Sequence, residues 1–462
     1  MGMSHEPQAE CRHPEGSVPN LRPFRALRFE PSSVGDIGAV VAPPYDVIDV
    51  ATRKRLIARH PANVVRLEMP VEEVGDQPDD RYRRAARTLA TWRSDGTLRK
   101  DPHPSVYAYE QTYRVPDGEA ERTQRGFFAR LKLESFGPDA GVLPHERTLT
   151  APKEDRYKLL RATGVNTSAL IGLFDDPSGG TTDRLAAVAG GPPDVDVTDD
   201  DGVRHRLWAL PASGDGPASI VAGDLLSAAG AGPITIADGH HRYETALRYR
   251  DERRMTRSCE EDPPFDYLLA LMLEASGQDL TVLPTHRLVR GIGVDAGGAL
   301  LARAHELFEV EPVTTSEQLL REMRAADANA DGGIGERGRF GLWTRAGGAI
   351  LTARRPDFEA DLPPAGDAVR ALDVTLLGVA LDRLAGLDAE AVAGGAVEYT
   401  KSAADAVAAV DADTGIDAAF LLEPPPVAAI EAVAREGDVM PQKSTYFYPK
   451  LLTGMVFNPL ED

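Results

Sequence analysis

Five consecutive residues carry the densest set of reactive side chains in the chain, Asp238-Gly239-His240-His241-Arg242. The β-branched run at 233–237 predicts a buried strand, and the residues from His240 onward predict a helix with one apolar face. The first amides of a helix lack internal partners and carry partial positive charge, so this turn is a natural seat for a phosphate. Gly239 lets the backbone turn closely, and Arg242 offers a charge-assisted contact.

Asp238 and the two histidines allow more than one role. Asp238 suits an N-cap, a magnesium ligand or a general base, and His240 and His241 suit phosphate contacts or proton transfer. The alternative is that Asp238 only caps the helix and that both histidines form hydrogen bonds inside a core. Because a cap needs neither two histidines nor an arginine, we favour a functional site.

A second polar stretch combines a histidine, a glutamate and a lysine around a predicted loop. Glu146 is a candidate general base, Lys153 or Arg156 a candidate phosphate ligand, and His145 a candidate pocket wall. Asn166, beyond the helix that follows, is a further candidate for that wall. No second histidine follows His145 four residues on, which excludes the zinc-protease helix motif. The alternative is that these charges form solvated pairs along a loop and a helix.

The stretch at 439–450 is rich in lysines, hydroxyl groups and aromatic rings. Such a mixture suits phosphate binding, with the ring of Tyr446 stacked on a base or closing the pocket. The candidate phosphate ligands here are Lys443, Ser444, Thr445 and Lys450. The alternative is that the aromatic rings pack a terminal segment onto the body while the lysines stay in solvent.

Two further turns are candidates for the pocket wall. Two prolines hold the backbone extended and present Tyr45 and Asp46 on a rigid turn. A second group follows a predicted strand and comprises Thr285, His286 and Arg287. Both turns are equally well explained as ordinary strand ends or helix caps.

Composition and charge exclude several classes of protein. The 462 residues carry a net charge of −21, which argues against a nucleic-acid partner because phosphate neutralisation needs clustered lysine and arginine. The two cysteines lack paired spacing, which argues against disulfides or a cysteine zinc site and suits a reducing cytoplasm. No apolar run reaches the roughly 20 residues that cross a bilayer, so no membrane partner is expected. The oligomeric state stays open.

Short strands alternate with helices along the whole chain, which predicts an α/β (α+β mixed) fold with mixed sheets. Residues 63–68 alternate in polarity and are predicted as a strand. Two strand-like runs, 105–114 and 124–133, flank Pro116-Asp117-Gly118 and predict an antiparallel hairpin.

The motif Asp238-Gly239-His240-His241-Arg242 resembles the phosphate-binding motif of the ParB-like superfamily. That superfamily includes chromosome-partitioning nucleotide-binding domains, sulfiredoxin-like enzymes and free serine kinases. From about Pro23 to Asp462 the chain also resembles the family named domain of unknown function 1015. The stretches around Glu146 and Lys443 match the other two motifs of that family.

The resemblance implies a ParB-like catalytic core at 105–290. Around that core we expect a disordered tail at 1–20, an N-terminal α/β lobe at 21–104 and an α/β accessory region at 291–438. The C-terminal segment, 439–462, is expected to return to the site, because anion donors and carboxylates are useful only where they converge.

Residues and resemblance together favour phosphoryl transfer, which needs groups that clamp phosphates, hold Mg²⁺ and orient a hydroxyl. Resemblance to free serine kinases implies ATP or ADP with Mg²⁺ as cofactors. It also implies a small amino acid as acceptor, serine being the best guess, or the reverse reaction from phosphoserine. In that scheme Glu146 or Asp238 deprotonates the hydroxyl. The chain has no Walker A sequence, so it would not be a P-loop enzyme.

Two alternatives compete with a kinase. The first is a ParB-like nucleotide-binding switch without turnover, but the expected basic, DNA-binding face does not fit a net charge of −21. The second is a metal-dependent phosphodiesterase that uses His240, His241 and His286 with Asp238. Adjacent side chains on a helix point about 100° apart, which disfavours the histidine pair as joint ligands.

Overall fold

The structure is a computed structural model of the 462-residue chain. It describes residues 19–116, 120–137, 140–146, 150–257, 261–278, 280–292, 296–327, 338–412 and 415–461. The predicted turn at Asp117-Gly118 and residues 1–18 of the predicted tail lie outside those ranges. Within the described part of the chain, every helix is too short or too polar to cross a bilayer.

Strands and helices alternate along the chain, and the predicted mixed α/β class is confirmed. The strands are β1 Leu21–Arg22, β2 Leu27–Phe29, β3 Leu98–Lys100, β4 Ser105–Arg114, β5 Glu121–Lys132, β6 Val142–Leu143, β7 Val165–Asn166, β8 Leu170–Phe174, β9 Val195–Thr198, β10 Arg204–Pro211, β11 Ile234–Asp238, β12 Tyr267–Glu274, β13 Thr281–Val282, β14 His286–Val289, β15 Phe308–Val313, β16 Arg339–Thr344, β17 Gly347–Ala353, β18 Val397–Thr400, β19 Ala418–Leu421, β20 Phe447–Tyr448 and β21 Asn458–Pro459. The helices are α1 Pro31–Val34, α2 Val50–Arg59, α3 Val65–Glu68, α4 Asp80–Ser94, α5 Thr150–Thr163, α6 Gly180–Ala189, α7 Pro217–Ala229, α8 His240–Thr256, α9 Ala296–Ala304, α10 Ser316–Asp327, α11 Asp367–Arg370, α12 Asp373–Ala385, α13 Ala389–Ala391, α14 Ala403–Asp411 and α15 Val427–Arg435.

A nine-stranded mixed sheet forms the centre of the fold, in the order β6-β11-β8-β12-β5-β4-β10-β9, with β1 paired to β5. Both faces of this sheet are covered, which explains why β12 is a continuous apolar run. Leu269, Leu271 and Leu273 pack into a core shared with the C-terminal segment. Leu268 and Met272 on the opposite face pack into a core shared with α6, α7 and α8.

The parallel pairing of β6 with β11 is the feature that positions the site. Val142 pairs with Ile234 and Leu143 with Thr235. The carboxyl ends of two parallel strands meet at one edge of a sheet. The residues that follow β6 therefore lie beside the turn that follows β11, although these two stretches are far apart in sequence.

A six-stranded sheet in the order β15-β17-β16-β19-β14-β18 forms the second centre of the fold. Apolar clusters cover its faces. Its strand β14 begins at His286 and pairs with β18 and β19. The expected core at 105–290 therefore overlaps a strand of this second sheet, and we propose a boundary just before His286.

The region at 21–104 is mainly helical, with β2 and β3 paired in a small sheet of their own. The predicted strand at 63–68 is wrong, because Val65–Glu68 is a helical turn. Asn63 is the cause: its side-chain oxygen accepts from the amide of Val65 at 3.0 Å, and its amide donates to the carbonyls of Ala39 and Val41. A local side chain to backbone bond thus replaces strand pairing.

The C-terminal segment is bound to the body at two places. Strand β20 pairs with β13, and β21 pairs with β7. Between them, Leu451 to Leu460 is buried throughout. Arg130 holds its end by donating to the side chain of Asn458 and to the carbonyl of Pro459. Residues 443–450 are therefore held firmly against the edge where β6 and β11 end.

Candidate functional site

A cavity of about 340 Å³ opens at that edge of the central sheet. Its volume is at the lower end of the range for small-molecule sites. The structure brings all three sequence motifs to this cavity, together with residues from the six-stranded sheet. The lining residues are Tyr45, Asp46, Val47, Glu146, Ala237, Asp238, Gly239, His240, His241, Arg242, Thr285, Tyr399, Thr400, Lys401, Lys443, Thr445, Tyr446, Phe447 and Lys450.

The turn between β11 and α8 forms the floor of the cavity. Gly239 has φ of 100°, in the left-handed region that favours glycine. A Cβ at this position would lie 3.1 Å from the guanidinium of Arg242, so another residue here would also displace that side chain by a few tenths of an ångström. Helix α8 begins at His240 with its N-terminal amides directed to the cavity end, as the sequence predicts.

Asp238 is shared by two cations. Its Oδ2 lies 3.0 Å from Nη2 of Arg242 and 3.6 Å from Nζ of Lys450. Burial opposes ionisation, but these two charges hold the pKa of Asp238 well below its usual range. Asp238 is therefore a fixed carboxylate that organises cations, and it is poorly suited to accept a proton near neutral pH.

Arg242 is more deeply engaged than the sequence suggests. Besides Asp238, its guanidinium donates to the carbonyl of Ala169. Only 13% of its side chain is exposed, at the cavity wall. The structure thus gives Arg242 a role in holding the turn together. Its direct contact with phosphate stays a prediction.

Glu146 lies between the first and third motifs. It forms an isolated parallel β-bridge with Met440, whose amide donates to the carbonyl of His145 at 2.7 Å. Its carboxylate accepts from the amide of Lys443 at 3.2 Å. Burial raises the pKa of Glu146 to about 7, although Lys443 opposes the shift. A carboxyl poised near neutrality suits a general base.

Two of the three motif histidines are buried and neutral. Nδ1 of His145 bonds the carbonyl of Ile236, and its Nε2 lies 3.1 Å from the hydroxyl of Thr445. The amide of His145 in turn donates to Nε2 of His240 at 3.2 Å. Burial lowers the pKa of His145 to about 4 and that of His240 as well. The hydrogen bonds of these two rings join the three motifs. Because both pKa values are lowered, neither ring suits the role of a catalytic acid.

His241 lines the cavity together with His240 and is less buried than that residue. Burial, followed by the charge of Lys153, lowers its pKa. Lys153 does not line the cavity, since its ammonium is ion-paired with Glu244 one turn along α8. The predicted role of Lys153 as a direct phosphate ligand therefore lacks support in the geometry.

Four other predicted site residues lie behind the cavity wall. Asn166 accepts from the amide of Leu269 and from the side chain of Asn458, which ties β7 to β21. Ser444 donates to the carbonyl of Pro441 and is buried. Nδ1 of His286 accepts from the amide of Leu422. All three have structural bonds where the sequence suggested ligand contacts.

Arg287 is the fourth of these residues and acts on the third motif. Its guanidinium donates to the carbonyl of Lys443 at 3.2 Å and lies 4.7 Å from the ring centroid of Tyr399. Lys443 has φ of 60°, a left-handed conformation that is unusual for a residue with a Cβ. Arg287 and Glu146 thus hold the backbone of Lys443 from both sides in a strained conformation, which is typical of functional sites.

A protein-family model described as "Protein of unknown function (DUF1015)" matches residues 21–375, well over half of the chain. The chain belongs to this family. The DUF1015 match includes Glu146 and the turn at Asp238 but ends at residue 375, so it does not cover the stretch at 443–450, although the sequence resemblance runs to Asp462.

Solved structures similar to this DUF1015 chain are distant. Free serine kinase in complex with AMP has 13% identity, covers 70% of this chain and 86% of its own, and has a TM-score of 0.33. SbnI with C-terminal truncation from Staphylococcus aureus has 11% identity, coverages of 72% and 87%, and a TM-score of 0.35. A conserved hypothetical protein from Pyrococcus furiosus has 13% identity, coverages of 70% and 90%, and a TM-score of 0.32. No curated protein matches in sequence.

Lys401 is the cavity residue that sequence reasoning missed. It follows β18 of the six-stranded sheet and precedes Ser402, the N-cap of α14. The signal that could have found it is the same strand-to-helix turn seen at Asp238. Burial and then Lys450 lower the pKa of Lys401 to about 8. Tyr399 and Thr400 from this turn, and Val47 and Phe447 elsewhere, line the cavity and were missed as well.

Two carboxylates of the cavity have the chemistry to hold Mg²⁺. Magnesium is usually bound by one or two carboxylates together with substrate phosphates. Asp46 is exposed to the cavity and, in the described ranges, forms no ion pair, whereas Asp238 is already bound to two cations. Over the same ranges, no group of three or more histidine, cysteine, aspartate or glutamate side chains could hold a metal alone. Asp46 thus fits a nucleotide-borne Mg²⁺.

Proposed function

We propose that this protein is a nucleotide-dependent phosphotransferase that acts on the hydroxyl of a small amino acid, serine being the best candidate. The same site would serve the reverse reaction from phosphoserine. One observation carries the proposal: Glu146, with its pKa raised to about 7, faces a cavity that is also lined by Lys401, Lys443 and Lys450. A base beside clustered cations matches the needs of phosphoryl transfer.

Glu146 takes the role of general base in this proposal. Its carboxylate is fixed by the amide of Lys443, so one oxygen points in a defined direction. A pKa near the working pH leaves a large share of the groups ionised and still able to accept a proton. Asp238, the other candidate base, stays ionised but is held by Arg242 and Lys450, which makes it a positioning residue.

The N-terminus of α8 and the lysines form the phosphate-binding part of the site. Helical amides at His240 and His241 offer donors with partial positive charge. Lys443 and Lys450 add full charges from the C-terminal segment. Preorganised donors of this kind stabilise the charge of a transferring phosphoryl group.

A magnesium ion, when bound, would neutralise charge on the nucleotide phosphates. Asp46 is the residue that we assign to it, on a single 3-10 turn, Tyr45–Val47, that two prolines precede. The adjacent Tyr45 is fixed by Arg156, whose guanidinium lies 4.3 Å from the ring centroid. Arg156 is itself held by the carbonyl of Glu68 and by Asp155. The carboxylate of Asp46 is thus presented from a well-supported turn.

Serine is the acceptor that the resemblance to free serine kinases implies. The motif at 238–242 is similar to that of free serine kinases, and a cavity of about 340 Å³ suits a small acceptor. The decisive experiment incubates the protein with ATP or ADP and Mg²⁺, with and without free serine, and measures phosphoserine by mass spectrometry. We expect phosphoserine to form and nucleotide loss to depend on serine.

The same experiment separates the alternatives. Tight nucleotide binding without any nucleotide loss would favour a switch, and nucleotide loss that is independent of serine would favour a hydrolase. Glu146→Gln is the informative variant, because it keeps the shape and removes the base. Glu121→Gln, an exposed change on β5, is the matched control and should retain full activity.

A further inference from the structure

Lysine is rare in this chain and concentrated at the cavity. The sequence contains eight lysines against 43 arginines, yet three of the eight line the cavity: Lys401, Lys443 and Lys450. Arginine serves as the ordinary basic residue elsewhere. A compact, mobile ammonium differs from a planar guanidinium in what it can bind, so this concentration indicates a ligand that needs point charges.

Two of these ammonium groups share one aromatic ring. Nζ of Lys401 lies 3.4 Å and Nζ of Lys450 lies 4.2 Å from the ring centroid of Tyr446. Cation–π attraction holds each group near the ring, while the two positive charges repel each other. Lys450 has Asp238 as its counter-charge at 3.6 Å. Lys401 forms no ion pair with any residue in the described ranges.

Lys443 is the third lysine that lines the cavity. Its ammonium also forms no ion pair with a described residue, and its strained backbone is held by Glu146 and Arg287. Lys401 and Lys443 therefore face one cavity without a close ion pair in the described ranges, although Asp46 and Glu146 act on them from a greater distance, and Lys401 is crowded by Lys450. An anion bound in the cavity would supply a close counter-charge.

We infer that Lys401 and Lys443, with the ring of Tyr446, form a subsite for a phosphoryl group that lies between the two large sheets. The subsite extends the phosphate-binding part of the cavity from the N-terminus of α8 to the turn after β18, which contributes Lys401. This inference rests on the proposed function, and it adds the six-stranded sheet to the binding machinery. The phosphoryl group belongs either to the nucleotide or to the phosphorylated amino acid, and the experiment separates these sources.

The first test uses pyridoxal 5′-phosphate, a phosphate-bearing aldehyde that labels lysines beside phosphate sites. The unprotonated amine adds to the aldehyde and loses water to give an imine, which sodium borohydride reduces to a stable secondary amine. We expect Lys401 to be labelled at least tenfold faster than the exposed Lys54, as measured by peptide mass spectrometry. Saturating ADP or O-phosphoserine should slow labelling at Lys401 at least tenfold, whereas serine should not.

The second test measures affinity by titration calorimetry. Lys401→Gln should weaken the protecting ligand roughly ten- to a hundredfold, the effect of losing a charge-assisted contact. Lys401→Arg keeps the charge but replaces the point charge by a planar group, so it should retain only part of the affinity, and Lys54→Gln should retain all of it. Lys401 is exposed, so the melting temperature should not change. Protection by ADP alone assigns the subsite to the nucleotide, and protection by O-phosphoserine alone assigns it to the phosphorylated amino acid.

Two outcomes overturn the inference: no protection of Lys401 by either ligand, or unchanged affinity in Lys401→Gln. These results are distinguishable from failure of the proposed function. If no phosphoserine forms but ADP still protects Lys401, the proposed reaction is wrong and the subsite stands. If phosphoserine forms and Lys401→Gln binds both ligands like the wild type, the reaction stands and the subsite is wrong.

Discussion

Nζ of Lys450 lies 3.6 Å from Oδ2 of Asp238, the same oxygen that Nη2 of Arg242 approaches to 3.0 Å. One carboxylate therefore joins the C-terminal segment to the turn between β11 and α8. Asp238 is partly buried, and its two cations lower the pKa of the carboxyl against the opposing effect of burial. The geometry at this point is set by charge, so changes to these residues should affect folding and binding together.

Replacing Arg242 tests this dependence. Arg242→Ala removes one partner of a buried pair and leaves the carbonyl of Ala169 unpaired, so we expect a loss of about 3 kcal/mol in the free energy of unfolding. Urea denaturation measures it. The exposed Arg93→Ala should change stability by less than about 0.5 kcal/mol. Wild-type stability combined with lost nucleotide affinity in Arg242→Ala would instead support a direct phosphate contact.

The raised pKa of Glu146 predicts how activity depends on pH. In the proposed reaction the carboxylate form of Glu146 is the base, and the pKa of this group is raised to about 7. Activity with serine should therefore rise with pH through about 7 and fall by tenfold per unit below it. Glu146→Gln should lose roughly 10²–10⁴-fold in kcat and the pH dependence with it. A variant that keeps the wild-type profile would show that another group accepts the proton.

The lowered pKa of His145 predicts that the protein loses stability in mild acid. Its pKa in the folded protein is lowered from 6.5 to about 4. The unfolded chain binds a proton below 6.5 while the folded protein does not, so this contribution is present above pH 6.5 and is lost as pH falls toward 4. The slope approaches about 1.4 kcal/mol per pH unit. In urea denaturation at several pH values, His145→Asn should flatten this slope, and the exposed His103→Asn should not.

The role proposed for Asp46 predicts how nucleotide binding depends on the concentration of Mg²⁺. Asp46→Asn removes the carboxylate assigned to the ion, so half-maximal nucleotide binding should need roughly tenfold more Mg²⁺, the scale of one charge-assisted contact. Binding of nucleotide without Mg²⁺ should be unaffected or improve. Asp49→Ala is the matched control: it removes the N-cap that bonds the amide of Thr52 and should cost about 1 kcal/mol of stability without changing the Mg²⁺ requirement.

Local pattern predicts some elements of this protein well. The β-branched run before Asp238 is β11, and the helix after Gly239 is α8, because strand and helix periodicities are local properties of the sequence. Residues 63–68 are the counter-example. Their alternation suits a strand, but the bonds of Asn63 impose a helical turn, and those bonds depend on the distant segment at 39–41.

The site was harder to predict than the strands, because its residues are joined only by tertiary packing. The two lysines of the third motif reach the cavity through β20 and the buried residues that follow it. Lys401 reaches it through the six-stranded sheet, whose placement no local pattern reveals. The engagement of Arg242 with Ala169 is likewise invisible in the sequence, since it depends on how β8 lies beside β11.

The late position of Lys443 and Lys450 in the chain has a consequence for biosynthesis. The central sheet is encoded by residues up to 274, so its strands leave the ribosome well before the cavity can be completed. The ion pair between Asp238 and Lys450 therefore cannot form until late in translation. The cavity of a nascent chain would consequently stay incomplete until the third motif has left the ribosome, and one face of the central sheet would stay uncovered until then.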